Sequence, residues 1–165
     1  MKAILSADKD WGIGNKGKLL LRIKEDMQYF REKTEGSVVV MGRKTFESLP
    51  WQKPLSNRIN IVLTRSLSYK KEGIVVVHNV DELKHELRKY KKEVFVIGGE
   101  QIYRMLIDFC DTVYVTKINA HFEADAYFPN LDKMPEWEMI YITKPKFVDG
   151  IEYRFAKYRR KKIGK

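Results

Sequence analysis

The chain has 165 residues, 44% of them hydrophobic, which suits one globular domain with a real core and excludes a disordered chain. No run approaches the roughly 18 apolar residues of a membrane span, and the opening MKAILSADKD lacks the apolar length and cleavage site of a secretory leader, so a cytoplasmic protein is expected. Of the formal net charge of +10, six positive charges fall in the acid-free stretch Lys157, Arg159, Arg160, Lys161, Lys162 and Lys165; with no aromatic-interleaved basic groove, this argues against specific nucleic-acid binding and suits the steering of small anions.

Lys2 to Ala7 (KAILSA) reads as a buried strand. Asp8 to Lys18 (DKDWGIGNKGK) then gathers three glycines, an asparagine and several charges, a long loop that is either functional, as a lid, or a passive surface connection. From Arg22 to Lys33 the pattern turns helical, with Ile23, Met27 and Phe30 on one face. Asp26 adjoins that stripe. It is either a first-turn acid favoured by the helix dipole, as Glu25 beside it can be, or a carboxylate partly withdrawn from water at a ligand pocket. Ser37 to Met41 (SVVVM) is a buried strand broken by Gly42, and Arg43-Lys44-Thr45 starts a helical turn carrying Phe46 and Leu49. A glycine, two cations and a hydroxyl at a helix start either hold phosphate or form a solvated cationic turn.

Pro50 to Asn57 is a proline-bounded loop. Arg58 leads the strand Ile59 to Leu63, which ends in Thr64-Arg65, and Gly73 to His78 is a further β-rich run. Asn79 to Tyr90 is an amphipathic scaffold helix with a capping-box pattern at Asn79 and Glu82. The stretch VFVIGGEQIY, Val94 to Tyr103, runs a buried strand into Gly98-Gly99 and a new helix. It is either a tight turn closed by two glycines or a second strand-to-helix junction able to receive an anion, and two such ends in one sheet would make a place for a pyrophosphate. It is not a GxGxxG, so a standard Rossmann site is not implied. Cys110, the lone cysteine, reads as a buried structural thiol in a reducing compartment. Asp111 to Ala120 is a strand containing Thr116, Ala124 to Pro129 a turn, and Trp137–Thr143 with Ile151–Tyr158 an antiparallel hairpin. No His/Cys spacing suggests a metal site. The expected fold is α/β: one domain over 1–165, a central mostly parallel twisted sheet flanked by helices, and a closing C-terminal hairpin.

With these pieces assembled, the chain resembles the dihydrofolate reductases over nearly its whole length. The motifs that carry the likeness are WGIGNKGKL, EDMQYF, VVVMGRKTFESLP, NRINIVLTR, VFVIGGEQIY and VTKINAHFEADAYFP, in the family's order and spacing. The resemblance implies NADPH-dependent reduction of 7,8-dihydrofolate to tetrahydrofolate for one-carbon metabolism. By that likeness Asp26 is the pocket carboxylate, bonded by Thr116, and a water delivers the proton to pterin N5. Leu5, Ser6, Met27, Phe30, Leu49, Leu55 and Ile97 would line the substrate, and Arg58 would grip its glutamate carboxylate. Ser6, Ile13, Gly14, Leu19 and Ile97 would border the nicotinamide. Gly42, Arg43, Lys44, Thr45, Leu63, Thr64 and Arg65, with Gly98, Gly99, Glu100, Gln101, Ile102 and Tyr103, would hold the rest of NADPH, within an adenosine-binding part spanning 37–90. The family's Gly-Gly bond is cis, which carries over to Gly98-Gly99. Two departures stand out: Leu20-Leu21 replaces a common Pro-Trp pair, removing an indole donor near the carboxylate, and Lys24 replaces a common proline.

The readings that compete are a related reductase acting on another pteridine or a riboflavin precursor, and a nucleic-acid-binding protein using the basic run. For 158–165, read as a tail, removal is expected to leave turnover intact. A chain without symmetry cues is read as a monomer.

Overall fold

The computed structural model describes residues 1–162. In chain order the elements are β1 (Lys2–Ala7), β2 (Gly12–Gly14), α1 (Lys24–Thr34), β3 (Val38–Gly42), α2 (Arg43–Glu47), β4 (Ile59–Leu63), β5 (Val75–Val77), α3 (Val80–Leu87), β6 (Val94–Gly98), α4 (Glu100–Leu106), β7 (Thr112–Ile118), β8 (Ala126–Tyr127), β9 (Trp137–Ile142), β10 (Lys146–Val148) and β11 (Ile151–Arg160). The main sheet runs β10-β11-β7-β1-β6-β3-β4-β5, with β9 beside β10 on the outer edge of β11. From β5 to β7 the strands are parallel, and β11 enters antiparallel to β7.

The valine run of β3 shows why this sheet forms. Val38 and Val40 face the side covered by α3 and α4, among Leu83, Ile102 and Leu106, while Val39 and Met41 face α1 and α2, among Phe30 and Phe46. Successive strand residues point to opposite faces, so only a strand covered on both sides buries such a continuous apolar run. Helix α3 starts where its cap was expected: Asn79 Oδ1 accepts from Glu82 N at 2.8 Å. The reciprocal bond goes one residue further back, with His78 N donating to Glu82 Oε2 at 2.6 Å. Cys110 is buried and its thiol pKa is pushed up to about 11, chiefly by burial, as befits a structural residue.

Three expectations need correction. Gly42 continues β3, pairing with Leu63, instead of breaking it. Residues 124–129 are not merely a turn, because Ala126 and Tyr127 form β8 and pair with Gly14 and Gly12 of the glycine loop. The residues read as a basic tail begin inside the sheet. Tyr158 is 1% exposed, and Arg160 lies 4.5 Å over the ring of Trp137 while bonding the carbonyls of Cys110 and Ile107. Deleting 158–165 therefore removes core, so the expectation of intact turnover does not stand. Lys165, part of that stretch, lies outside the described residues. Among the described residues no helix is long and apolar enough to cross a membrane.

The glycine loop is tied down at its base by Asp8, whose buried carboxylate accepts from Asp10 N and Gly12 N through Oδ1 and from Phe122 N through Oδ2, at 2.8 to 3.0 Å. Asp8→Ala leaves three backbone donors unpaired, and an expected loss of about 2–3 kcal/mol in denaturant unfolding checks this role.

Candidate active site

Parallel strands end together, and these ends build a cleft. The ladder between β1 and β6 holds only Lys2↔Phe95 and Ala3↔Val96, whereas β1 stays paired with β7 through Ala7↔Lys117. Beyond Ala3 the two strands part, and the Tyr103 hydroxyl, donating to the Ile4 carbonyl at 2.8 Å, satisfies a group the ladder abandons. In α/β sheets such a parting at the carboxyl ends is where ligands enter.

On the β7 side of the opening stands Asp26, presented by the first turn of α1. Thr116 Oγ1 donates to its Oδ1 at 2.5 Å, joining helix to sheet across 90 residues of sequence. Thr116 sits in register with Ser6 of β1 and Phe155 of β11. Burial raises the Asp26 pKa, and the Thr116 bond opposes that rise. Glu25 has the opposite fate. Its carboxylate accepts from the Tyr153 hydroxyl at 2.7 Å and pairs with Lys146 at 3.0 Å, and these partners lower its pKa. Two adjacent carboxylates thus separate into an ordinary anion tied to the hairpin and a proton-avid one facing the cleft.

Below Asp26 the wall is apolar. Phe30, Leu49, Leu55 and Ile97 pack on Ile4, Val39 and Met41, while Met27, expected on the buried stripe of α1, stays 44% exposed. Leu19 is also exposed, and Leu5 is buried. Arg58 closes this end: Nε donates to the Ser56 carbonyl at 2.8 Å and Nη1 to Thr34 Oγ1 at 3.0 Å. Burial and the nearby Arg31 charge push its pKa down, yet a guanidinium stays charged, so two like charges face a region suited to an anion.

The two glycine junctions meet across the β3–β6 pair, where Met41 is opposite Gly98. The Gly98-Gly99 bond is cis, as the family likeness implied, and Gly98 has a φ of 121°, a left-handed conformation open to glycine. A Cβ placed on Gly99 would come 3.6 Å from Thr45 Oγ1, so bare backbone and a hydroxyl face one another. Arg43 follows Gly42, and Thr64-Arg65 follow Leu63, the partner of Gly42, so both cations extend the same rim. Backbone N–H groups of short helix starts, one hydroxyl and two arginines match the needs of a dinucleotide with an extra phosphate. Lys44 and Gln101 are exposed along this rim, whereas Leu63, Ile102 and Tyr103 turn inward to the core. Glu100 is committed elsewhere: its Oε2 accepts from Tyr127 N at 2.8 Å and its Oε1 pairs with Arg104 at 3.3 Å.

Ile13 and Gly14 lie in β2, and their loop is held by residues that sequence reasoning missed. Asp125 N donates to the Gly14 carbonyl at 3.0 Å, Asp125 Oδ2 accepts from Lys16 N at 2.9 Å, and His121 Nδ1 lies 2.6 Å from Asp10 Oδ2. No local pattern reveals a partnership about 110 residues apart. Leu21, where the family often has tryptophan, packs with Ile23, Ile118, Tyr153 and Phe155 and brings no donor.

The dihydrofolate reductase family model matches residues 1–160. The dihydrofolate reductase of Bacillus subtilis is 34% identical over 165 residues, covering 98% of this chain and 95% of that one. A solved structure of dihydrofolate reductase from Enterococcus faecalis, complexed with NADP(H) and RAB-propyl, superposes with a TM-score of 0.86 at 37% identity, covering 98% of this chain and 96% of that one. The bifunctional dihydrofolate reductase-thymidylate synthase of Glycine max is 34% identical across 96% of this chain, which spans only 33% of that protein.

Proposed function

The chain belongs to the dihydrofolate reductase family, and we propose that it carries out the NADPH-dependent reduction of 7,8-dihydrofolate to tetrahydrofolate with its residues dividing that work as follows. The observation that carries the assignment is Asp26, a half-buried carboxylate with a raised pKa, bonded by Thr116 beside the cleft.

Asp26 accepts hydrogen bonds from the pterin's ring N–H and exocyclic amine, and Thr116 keeps the carboxylate aimed at that edge. The pairing offsets the desolvation of an anion in such a place. NADPH supplies a hydride to pterin C6. Asp26 sits at the opposite edge of the pterin from N5, so its field acts on a water that delivers the proton there. With Leu21 in place of tryptophan, that water loses an indole partner and depends on the carboxylate. Phe30, Leu49 and Leu55 line the benzoyl region, and Arg58 offers a planar pair of donors to the glutamate α-carboxylate.

Thr45 and the backbone at Gly99 and Gln101 cradle the pyrophosphate, Ile13, Gly14 and Ile97 border the nicotinamide, and Arg43 and Arg65 take the extra phosphate that distinguishes NADPH from NADH. The segment 37–90 is the adenosine-binding part of a single domain. We take the monomer as the catalytic unit, since every group named comes from one chain. We place it in the cytoplasm, where a free thiol such as that of Cys110 stays reduced.

Nicotinamide oxidation with dihydrofolate, measured with NADPH and with NADH, tests the assignment. The expected result is NADPH-preferring turnover. In Arg65→Ala the preference falls about tenfold, through the KM for NADPH, because one charge-assisted contact is lost. A folded protein that binds NADPH but leaves dihydrofolate untouched would redirect the assignment to another pteridine.

A further inference from the structure

Trp51 is 87% exposed, the most exposed of the chain's large apolar side chains among the described residues, and it lies in the loop between Leu49 and Leu55, both of which pack in the apolar cluster with Phe30. Trp11 and Trp137, by contrast, are each 4% exposed in the core. Water contact over most of an indole is unfavourable unless something covers it. The backbone beneath it is equally unusual. Trp51 has a φ of 57° and Gln52 of 49°, two consecutive non-glycine residues in the left-handed region, a conformation that concentrates at ligand clamps.

The loop is held so firmly that this conformation is not slack. Gln52 N donates to the Leu49 carbonyl at 2.8 Å and Lys53 N to the Pro50 carbonyl at 3.2 Å. The buried Asn60 amide brackets Leu55, its Oδ1 accepting from Leu55 N and its Nδ2 donating to the Leu55 carbonyl, both at 2.9 Å. Leu49 and Leu55, on either side of the tryptophan, are the apolar wall that packs with Phe30. Arg58 follows three residues later. The indole thus stands on a rigid arch whose two feet line the region assigned to the aminobenzoyl group.

We propose that Trp51 is a specificity residue: on binding, its indole turns over the rim and covers the outer face of the substrate's aminobenzoyl ring, between the Leu49–Leu55 wall and the Arg58 anchor. The chemistry fits, since an amide-substituted aromatic ring offers a flat face for offset stacking on an indole, whereas the pterin lies deeper at Asp26. Met27, next to Asp26 on α1, is also exposed, and an apolar side chain open beside the carboxylate suits an aromatic substrate. This reading rests on the reductase assignment above and extends it to discrimination between folates and simpler pterins.

The test compares kcat/KM for dihydrofolate with that for 6-methyl-7,8-dihydropterin, which lacks the aminobenzoyl-glutamate tail, in wild type, Trp51→Ala and Trp51→Phe. The expected result is that the preference for dihydrofolate falls about tenfold in Trp51→Ala, through KM and not kcat, and is largely restored in Trp51→Phe. Thermal unfolding of the variants, whose replaced side chain is almost wholly in solvent, confirms that both are folded. An unchanged preference in folded Trp51→Ala, or an equal loss on both substrates, overturns the proposal while leaving the reductase assignment standing. Wild-type turnover of neither pterin overturns both together.

Discussion

Asp26→Asn is expected to lose two to four orders of magnitude in dihydrofolate turnover at neutral pH while becoming more stable than the wild type there. The loss follows from removing the charge that holds the pterin edge and drives protonation at N5. The gain follows from linkage. Burial raises the Asp26 pKa in the folded protein above its unfolded value, so between those two values the folded state binds more protons than the unfolded one. Stability therefore declines as pH rises through that interval, and the full cost is present above it. An asparagine has no proton to lose, yet its side-chain oxygen still accepts the Thr116 hydroxyl. Unfolding curves of the two proteins should converge as pH falls below the ordinary aspartate value of about 3.9 and separate, with Asp26→Asn more stable, toward pH 7. Whatever part of the wild-type pH–rate profile follows the ionisation of Asp26 should disappear in the variant. A destabilised Asp26→Asn at pH 7 would mean that the Thr116 bond, and not burial, sets the state of the carboxylate.

How much of this was readable in advance depended on how far apart the partners lie. The valine strand, the Gly98-Gly99 junction and the Asn79 cap announce themselves because each is specified by residues a few positions apart. Asp26 could be suspected from its helix alone, but its neighbour Glu25 looked equally ordinary. What separates them is Thr116 on one side and Tyr153 with Lys146 on the other, contacts that only the tertiary fold creates. The family likeness supplied the Asp26–Thr116 pairing; spacing did not. The short pairing of β2 with β8 escaped notice since strands of three and two residues carry no periodicity, and their stability comes from Asp8, Asp125 and the backbone they hold. The basic run misled for a related reason. Arg160 looks like part of a solvated tail until the Trp137 ring, on a strand more than twenty residues earlier, and the carbonyls of Cys110 and Ile107 take it in, while Arg159 beside it stays exposed and pairs with Glu138 at the surface.

Arg58→Leu should raise the KM for dihydrofolate about 100-fold or more while leaving kcat and the KM for NADPH near their wild-type values. Two charge-assisted hydrogen bonds to a carboxylate contribute about 1.5–3 kcal/mol each, and a leucine offers none. The interaction is made equally in ground and transition states, being far from C6, so its loss belongs in KM. Folding should survive the change. Thr34, fully buried beside Arg58, keeps the bond from its own hydroxyl to the Phe30 carbonyl at 2.8 Å, so the guanidinium leaves no orphan behind. Relief of the repulsion from Arg31 offsets part of the lost packing. Arg58→Lys separates charge from geometry: a single ammonium keeps the attraction but not the paired donors, so it should recover only part of the loss. Removing the glutamate from the substrate should cost the wild type as much as Arg58→Leu costs on the full substrate, and the two losses should not add. If they do add, Arg58 and the tail carboxylate are not partners.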